Sequence, residues 1–377
     1  MTDIPNHYDV VIAGAGPGGC ASAIVLANSG FKVALIDEPL KGFKIGESLP
    51  GAAIRMLRRL GINQLSDLMN GQQFAPCLAN VSAWGDNKWT YADALKNPEG
   101  GGWHLVRESF DISLRQKALA SGATLFDGKA GKINAEQSGQ SGYRIHFKHK
   151  KHSLPDYLES NWIIDATGRS SVVLKQLGIQ RTKHHDQLAA VCWLKPKFDE
   201  KDQTSRIKSV RNGWFYSALL PDQHRVLAFY GLPVEVAEMI RNPELFHEAV
   251  NKTNILNYEI KHESLAVGLQ ATKAGLSKAN KVEGDRWVAV GDAALALDPL
   301  SSQGMFFSLY SGIKGAETII QSMAMGYESK YISSQYQNKV DEVFEANQKS
   351  RKYYYTSELR YVDHPFWNRW FVPVMKD

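Results

Sequence analysis

Cysteine is scarce: Cys20, Cys77 and Cys192 are the only three in 377 residues. None lies near another, so neither a CxxC redox pair nor a zinc site can be built from sequence neighbours. No metal site is expected. Three scattered thiols fit a reducing compartment, and Cys20, just inside the first expected helix, reads as a small buried hydrophobe. Long apolar runs are missing too. No stretch reaches the roughly 18 apolar residues that a membrane helix needs. The N-terminal MTDIPNHYD is polar, without the apolar segment of a secretory leader. A cytoplasmic protein with no membrane contact is the expectation. Nor is charge of one sign concentrated. The net charge of +5 is spread along the chain. The densest basic stretch, His149-Lys150-Lys151-His152, falls between two expected strands, where a solvated turn accounts for it. No nucleic-acid partner is implied. The chain also lacks internal repeats and low-complexity linkers.

What is present is an alternation of apolar strands and helices. Tyr8–Ala13 is a short apolar run bounded by glycine, the pattern of a buried parallel strand. Pro17–Ser29 reads as a helix stopped by Gly30, and Phe31–Ile36 as a second buried strand ending in Asp37. Further helices are expected over Ile54–Leu60, Ser109–Ser121, Pro243–Thr253 and about Gly304–Met325. Val81–Tyr91 reads as a β ribbon, Glu99–Gly102 as a glycine-rich turn, Thr124–Phe126 as a strand and Lys132–Ile164 as a meander. Ala189–Leu194, Gly213–Leu220, Arg225–Gly231 and Arg286–Val290 complete the strands. The fold class is α/β: a Rossmann-type nucleotide domain (1–75, 103–188, 265–330) interleaved with a mostly antiparallel β-sheet domain (76–102, 189–264). A helical, aromatic-rich segment (331–377) follows.

Gly14-Ala15-Gly16-Pro17-Gly18-Gly19 fits G-x-G-x-x-G, follows a strand and opens a helix. Gly14 permits the turn, Gly16 lets the backbone approach a pyrophosphate, and Gly19 lets helix and strand pack. The free N–H groups of the helix start then hold phosphate. Asp37, 23 residues after Gly14 at the end of the second strand, is placed to meet ribose hydroxyls. Two more glycine-acid turns follow apolar strands: Asp165-Ala166-Thr167-Gly168-Arg169, and Gly291-Asp292-Ala293-Ala294. Asp298-Pro299-Leu300-Ser301-Ser302-Gln303-Gly304-Met305 then leads into a helix.

Together these pieces resemble the FAD-dependent monooxygenases of the p-hydroxybenzoate hydroxylase fold, over roughly Tyr8–Gly326. The resemblance implies noncovalent FAD, with Asp165 and Gly168 beside it, Gly291 and Asp292 at the ribitol, and Pro299, Gly304 and Met305 beside the isoalloxazine ring. It also implies that Arg107, preceding a helix in HLVRESFDISLRQKA, reaches the cofactor. Gly46-Glu47-Ser48-Leu49-Pro50 is similar to the GE-[AS]-x-x-P segment of the tryptophan-halogenase-like branch, and Ser48 is carried over as a cofactor contact. Ser48 and Pro50 would also suit a helix N-cap and first turn. Two halogenase features are missing. Phe74-Ala75 stands where halogenases carry Phe-Lys, and Gly213-Trp214-Phe215-Tyr216-Ser217-Ala218-Leu219-Leu220-Pro221 does not restore WxWxIP. The chain is also short for a halogenase. It is most similar to the LodB-like flavoproteins, including the GoxB type, which help to form cysteine tryptophylquinone in a partner oxidase.

That likeness implies a monooxygenase in which molecular oxygen is the co-substrate and a flavin C4a-hydroperoxide hydroxylates an aromatic ring. The ring would be a peptidyl tryptophan of a quinone-cofactor oxidase precursor. No second nucleotide fingerprint is present, so NAD(P)H binding without its own domain and an external reductant both remain open. Glu47 is the first choice for taking a proton from the ring. His104 and Tyr216 are further catalytic candidates. Trp84, Trp89, Trp103, Trp214 and Phe215 crowd the same layer, mostly as ordinary core. The C-terminal Tyr353, Tyr354, Tyr355, Tyr361, Phe366, Trp367, Trp370 and Phe371 suit either a docking surface or a helix folded back on the body to cover the flavin domain. Three other functions stay open: hydroxylation of a small molecule, alkene reduction as in the geranylgeranyl reductases, and a non-catalytic assembly partner.

Overall fold

The computed structural model describes residues 6–40, 42–93, 100–135, 142–148, 155–196, 199–260, 265–325 and 330–371. The basic stretch 149–152 and the first residue of the expected turn at 99–102 lie outside them.

His7–Ala13 forms the middle of an eight-stranded sheet. It pairs in parallel with Val33–Asp37 on one side and Tyr157–Asp165 on the other. Thr124–Asp127 and Trp287–Ala289 extend the parallel array outward. Val10, Val11, Ile12 and Ala13 are completely buried, as a strand covered on both faces requires. Lys129–Ala135 and Tyr143–Lys148 add an antiparallel meander.

Two helices cover this sheet and cross at very short range. The first, Pro17–Asn28, meets Gly304–Ala324 where a Cβ on Gly312 would sit 2.3 Å from the Gly18 carbonyl oxygen. Ser22 Oγ donates to the Gly312 carbonyl at 2.9 Å. Glycine at this crossing brings the two helix N-termini, at Gly16 and Gly304, to one side of the sheet.

The second sheet has seven strands. Leu188–Leu194, Arg225–Gly231, Gly213–Leu219 and Thr204–Val210 run antiparallel in that order. Ala79–Ala83 joins in parallel, and Thr90–Asp93 forms one edge. Leu265–Lys273 forms the other edge, against Leu188–Leu194. The sequence reading missed this strand and placed residues from 265 onward with the nucleotide layer. Half-buried Leu265, Val267 and Leu269 alternate there with exposed Ala266, Gly268 and Gln270, the pattern of a strand with one covered face. Thr204–Val210 and the helix Pro233–Arg241 were also missed.

The two faces of this sheet have separate cores. Phe215, Phe229 and Cys192 pack under Pro233–Arg241 and Pro243–Thr253. Trp214, Tyr216, Tyr230 and Trp193 pack on the opposite face, because strand neighbours alternate sides. Tyr355, Phe366, Trp367 and Trp370 from the C-terminal segment join that second core. Trp370 stacks on Tyr355 at 4.1 Å between centroids. These four residues fold back on the body, as one of the two readings of the tail expected, but they cover the antiparallel sheet and not the flavin domain. Tyr353, Tyr354 and Phe371 remain exposed.

A small three-stranded sheet joins the two layers: Ser48–Leu49, Gly102–Leu105 and Phe74–Cys77. Ser48 therefore lies in a strand and does not cap a helix. The helix that follows begins at Ala53 and has no side-chain cap. Among the described residues no helix is long and apolar enough to cross a membrane.

Candidate active site

A cavity of about 630 Å³ lies between the two layers. One end is made of backbone. Gly14 has φ +100°, and a Cβ there would lie 2.3 Å from the Ala166 carbonyl oxygen. Gly16, by contrast, has no atom within 4 Å of its missing Cβ and opens on the cavity. The helix from Pro17 has no side-chain cap and no acid in its first turn. Its N–H groups and positive dipole end are therefore available to an anion. Gly19 does not line the cavity. A Cβ on it would strike the Gly14 carbonyl, so it serves close helix–strand packing, the role assigned to it.

Asp37 lines the same end and accepts hydrogen bonds from Ala15 N and Glu38 N, each at 3.0 Å. Arg115, which sequence reasoning did not single out, pairs with Asp37 and donates to the Ala15 and Glu38 carbonyls. It ties the nucleotide turn to the acid that follows the second strand. Its only sequence signal is its place on the buried stripe of the helix Arg107–Ala120.

Gly168, Gly291, Asp292, Pro299, Gly304 and Met305 line the middle of the cavity. Asp292 faces Arg169 Nε at 3.4 Å. Asp165 is a correction. It is fully buried and outside the cavity wall. Its oxygens accept from Thr167 N, Thr167 Oγ1 and Leu174 N, so it knits the turn after its own strand. Burial pushes its carboxyl upward against these hydrogen bonds. Arg107 lines the cavity, pairs with Asp111 at 2.8 Å and donates to the Gly46 carbonyl at 3.1 Å. It thus shapes the loop that carries Glu47.

The other end is made of side chains. Glu47 is 4% exposed. Tyr216 donates its phenol to Glu47 Oε1 at 2.6 Å, and Gly46 N donates to Oε2 at 3.0 Å. Leu105 N donates to the Glu47 carbonyl, fixing the backbone beneath it. Burial, and then the Glu47 carboxylate, push the Tyr216 phenol well up. Trp214 and Tyr230, stacked at 4.0 Å, form the adjoining wall. Asp298, also in the wall, is held by Arg351 Nε at 2.9 Å and by the Tyr355 hydroxyl. One buried carboxylate is thus paired with a guanidinium, while the other meets a phenol and an amide. His104 is a second correction: it is completely buried behind this wall, bonded to Ser205, and does not line the cavity. Lys44 and Lys273 do line it, and neither was singled out from the sequence. Lys44 is bound to Asp111 at 2.8 Å.

The donors present suit FAD. Uncapped helix starts at Gly16 and Gly304 suit phosphate and an electron-rich ring, carboxylates suit sugar hydroxyls, and the elongated cavity leads from both to an aromatic chamber. A dinucleotide groove opening onto a chamber over an antiparallel sheet defines a flavin-dependent oxidoreductase with the flavin-halogenase fold. The chain belongs to the tryptophan halogenase family, whose sequence profile matches residues 91–371. It is 25% identical to the FAD-dependent oxidoreductase LodB of Marinomonas mediterranea over 370 residues, 97% of each chain. It is 23% identical to the tryptophan 2-halogenase of Chondromyces crocatus, over 94% of this chain and 71% of that one. Among solved structures, the flavin-dependent halogenase CmlS superposes with a TM-score of 0.83 at 20% identity, covering 96% of this chain and 67% of that one. QhpG, a peptidyl tryptophan dihydroxylase essential for tryptophylquinone cofactor biogenesis, superposes with a TM-score of 0.79 at 20% identity, covering 98% and 80%.

Proposed function

We propose that this enzyme hydroxylates the indole ring of a tryptophan within a partner protein, the precursor of a tryptophylquinone-dependent oxidase. The observation that carries the reading is Glu47, a buried carboxylate oriented by Tyr216 and Gly46 at the aromatic end of the cavity. Ring hydroxylation replaces a C–H by a C–OH, and the ring proton needs an acceptor beside the reacting carbon. Overall, one oxygen atom enters the ring and the other leaves as water, with two electrons from NAD(P)H or another reductant. Reduced FAD, when bound, supplies those electrons to molecular oxygen.

The chain's own residues do the rest. The amides at Gly16 and Gly304 and the carboxylates of Asp37 and Asp292 hold the cofactor. Trp214 and Tyr230 exclude water and offer faces against which an indole can lie. Glu47 takes the ring proton on Oε1 or Oε2. Likeness to LodB over the full chain and to QhpG in fold supports a protein substrate, and Ala75 in place of the halogenases' lysine favours oxygen transfer over halogenation. The test is co-expression of a tryptophylquinone oxidase precursor with and without this chain, followed by mass spectrometry of its tryptophan peptides. A gain of one or two oxygen atoms on tryptophan, lost with Glu47→Gln, is expected. Unchanged peptides with an FAD-loaded protein would overturn the reading.

A further inference from the structure

We propose that Tyr230 is a substrate-recognition residue: its phenol oxygen accepts the indole N–H of the tryptophan held at the aromatic end of the cavity, and so makes the site selective for indole over rings that lack that N–H. The inference rests on the reading of the substrate as a tryptophan side chain. Its geometry comes from one pair of strands. Trp214 and Tyr230 stand directly opposite each other on Gly213–Leu219 and Arg225–Gly231, so their side chains share a face. The rings stack at 4.0 Å with 15° between their planes. That stack holds the Tyr230 ring, and with it the hydroxyl at the tip of the ring.

The neighbouring polar groups of this wall are committed to one another. Tyr216 donates to Glu47. Trp214 Nε1 donates to the Tyr355 hydroxyl at 3.1 Å, and that hydroxyl donates to Asp298. Asp298 also accepts from Arg351 Nε and Leu300 N. Tyr230 differs. It is 4% exposed and lines the cavity. Among the described residues its hydroxyl has no hydrogen-bond partner, and the oxygen is not sealed in the core but opens on the cavity. Buried polar groups in native proteins are paired as a rule, so an unpaired hydroxyl at a cavity wall calls for its partner from the ligand.

The chemistry of indole decides which ligand atom that is. The ring has one polar atom, its N–H, and burial requires an acceptor for it. Glu47 is assigned to the proton of the reacting carbon, and Asp298 already has three donors. The Tyr230 oxygen is the acceptor this wall still offers. Burial first, and then the Glu47 and Asp298 carboxylates, hold the phenol well above its ordinary value, against a smaller opposing effect from Arg169. It therefore stays a neutral hydroxyl, with a lone pair for an N–H donor. With the N–H at Tyr230 and the reacting carbon at Glu47, the indole is held at two points, which sets the edge it presents for reaction.

The test compares a partner precursor carrying tryptophan with the same precursor carrying 3-benzothienylalanine, in which sulfur replaces the N–H. Mass spectrometry of the two in competition reads oxygen incorporation into each. The wild-type enzyme is expected to favour tryptophan in kcat/KM by at least about tenfold. Tyr230→Phe, which keeps the stack on Trp214, should lower kcat/KM for tryptophan and shrink the preference to less than about threefold. Differences in the reactivity of the two rings are common to both enzymes and cancel when the preferences are compared. A merely structural hydroxyl would slow both substrates alike; a Phe variant with the wild-type preference therefore overturns the proposal. FAD absorbance and occupancy should be unchanged in Tyr230→Phe. A displaced flavin band or lost FAD would assign the hydroxyl to the cofactor and also overturn it. Failure of the tryptophan reading itself looks different: the wild-type enzyme then adds no oxygen to the tryptophan precursor, and the role of Tyr230 falls with it.

Discussion

The two ends of the cavity are built from different material. At the Gly16 end the walls are main chain: a glycine turn, an uncapped helix start, and Asp37 held by Arg115 and two amides. At the Glu47 end they are side chains, drawn from the 45–48 segment and two antiparallel strands, with Arg351 of the C-terminal helix Lys330–Thr356 holding the wall residue Asp298 from behind. A backbone site binds by shape and dipole and tolerates few changes of residue size. A side-chain site can be altered one proton or one ring at a time without disturbing its neighbour. The first suits a cofactor that stays, and the second suits chemistry that varies across a family containing halogenases and oxidoreductases.

The sharpest way to separate the ends is Gly16→Val. A Cβ there has no protein atom within 4 Å and lies on the cavity side, so the added side chain would occupy space the cofactor needs. The protein should fold with an unchanged circular dichroism spectrum and lose its yellow colour. Full FAD occupancy would place the cofactor elsewhere. Glu47→Gln is the reciprocal change: flavin absorbance should be normal while turnover drops about a hundredfold, the usual scale of a lost general base. Stopped-flow or product mass analysis reads this, and a tenfold loss of FAD instead would mean that the two ends are not separate.

Smaller effects test how the ring end is supported. Arg351→Met leaves Asp298 buried without its guanidinium. It should cost roughly 3 kcal/mol of unfolding free energy, the scale for breaking a buried pair, because Tyr355 and Leu300 N still satisfy part of the carboxylate. Denaturant titration measures it, and a near-neutral result would show that the tail is not anchored to the flavin loop. Asp165→Asn should be the mildest. It is expected to cost about 1–2 kcal/mol by weakening the turn bonds to Thr167 and Leu174 and to leave FAD occupancy unchanged. Loss of FAD there would restore Asp165 to the cofactor.

This division also explains what could be read in the chain. Gly14, Gly16 and Asp37 are legible because a phosphate-binding turn demands fixed residue types at fixed spacing. Gly291 and Gly304 stand out for the same reason. Asp165 looked like a ligand because an acid after a strand is also what a tight turn needs, and only coordinates separate the two. His104 stands three residues before Arg107 in sequence, yet it lies behind the wall, since its strand turns its ring toward Ser205. Lys44, Arg115, Arg351 and Ser205 left no signal, because their partners are 67, 78, 53 and 101 residues away. The edge strand Leu265–Lys273 was legible in the alternation of Leu265, Val267 and Leu269 with smaller or polar residues, and the sequence reading passed over it.

The most direct test of the central proposal supplies the reduced, FAD-loaded protein with a tryptophan-bearing oxidase precursor, chloride or bromide, and isotopically labelled molecular oxygen. The expected product carries labelled oxygen on the indole ring and no halogen. A halogenated tryptophan, or consumption of oxygen with no label in the precursor, would contradict it.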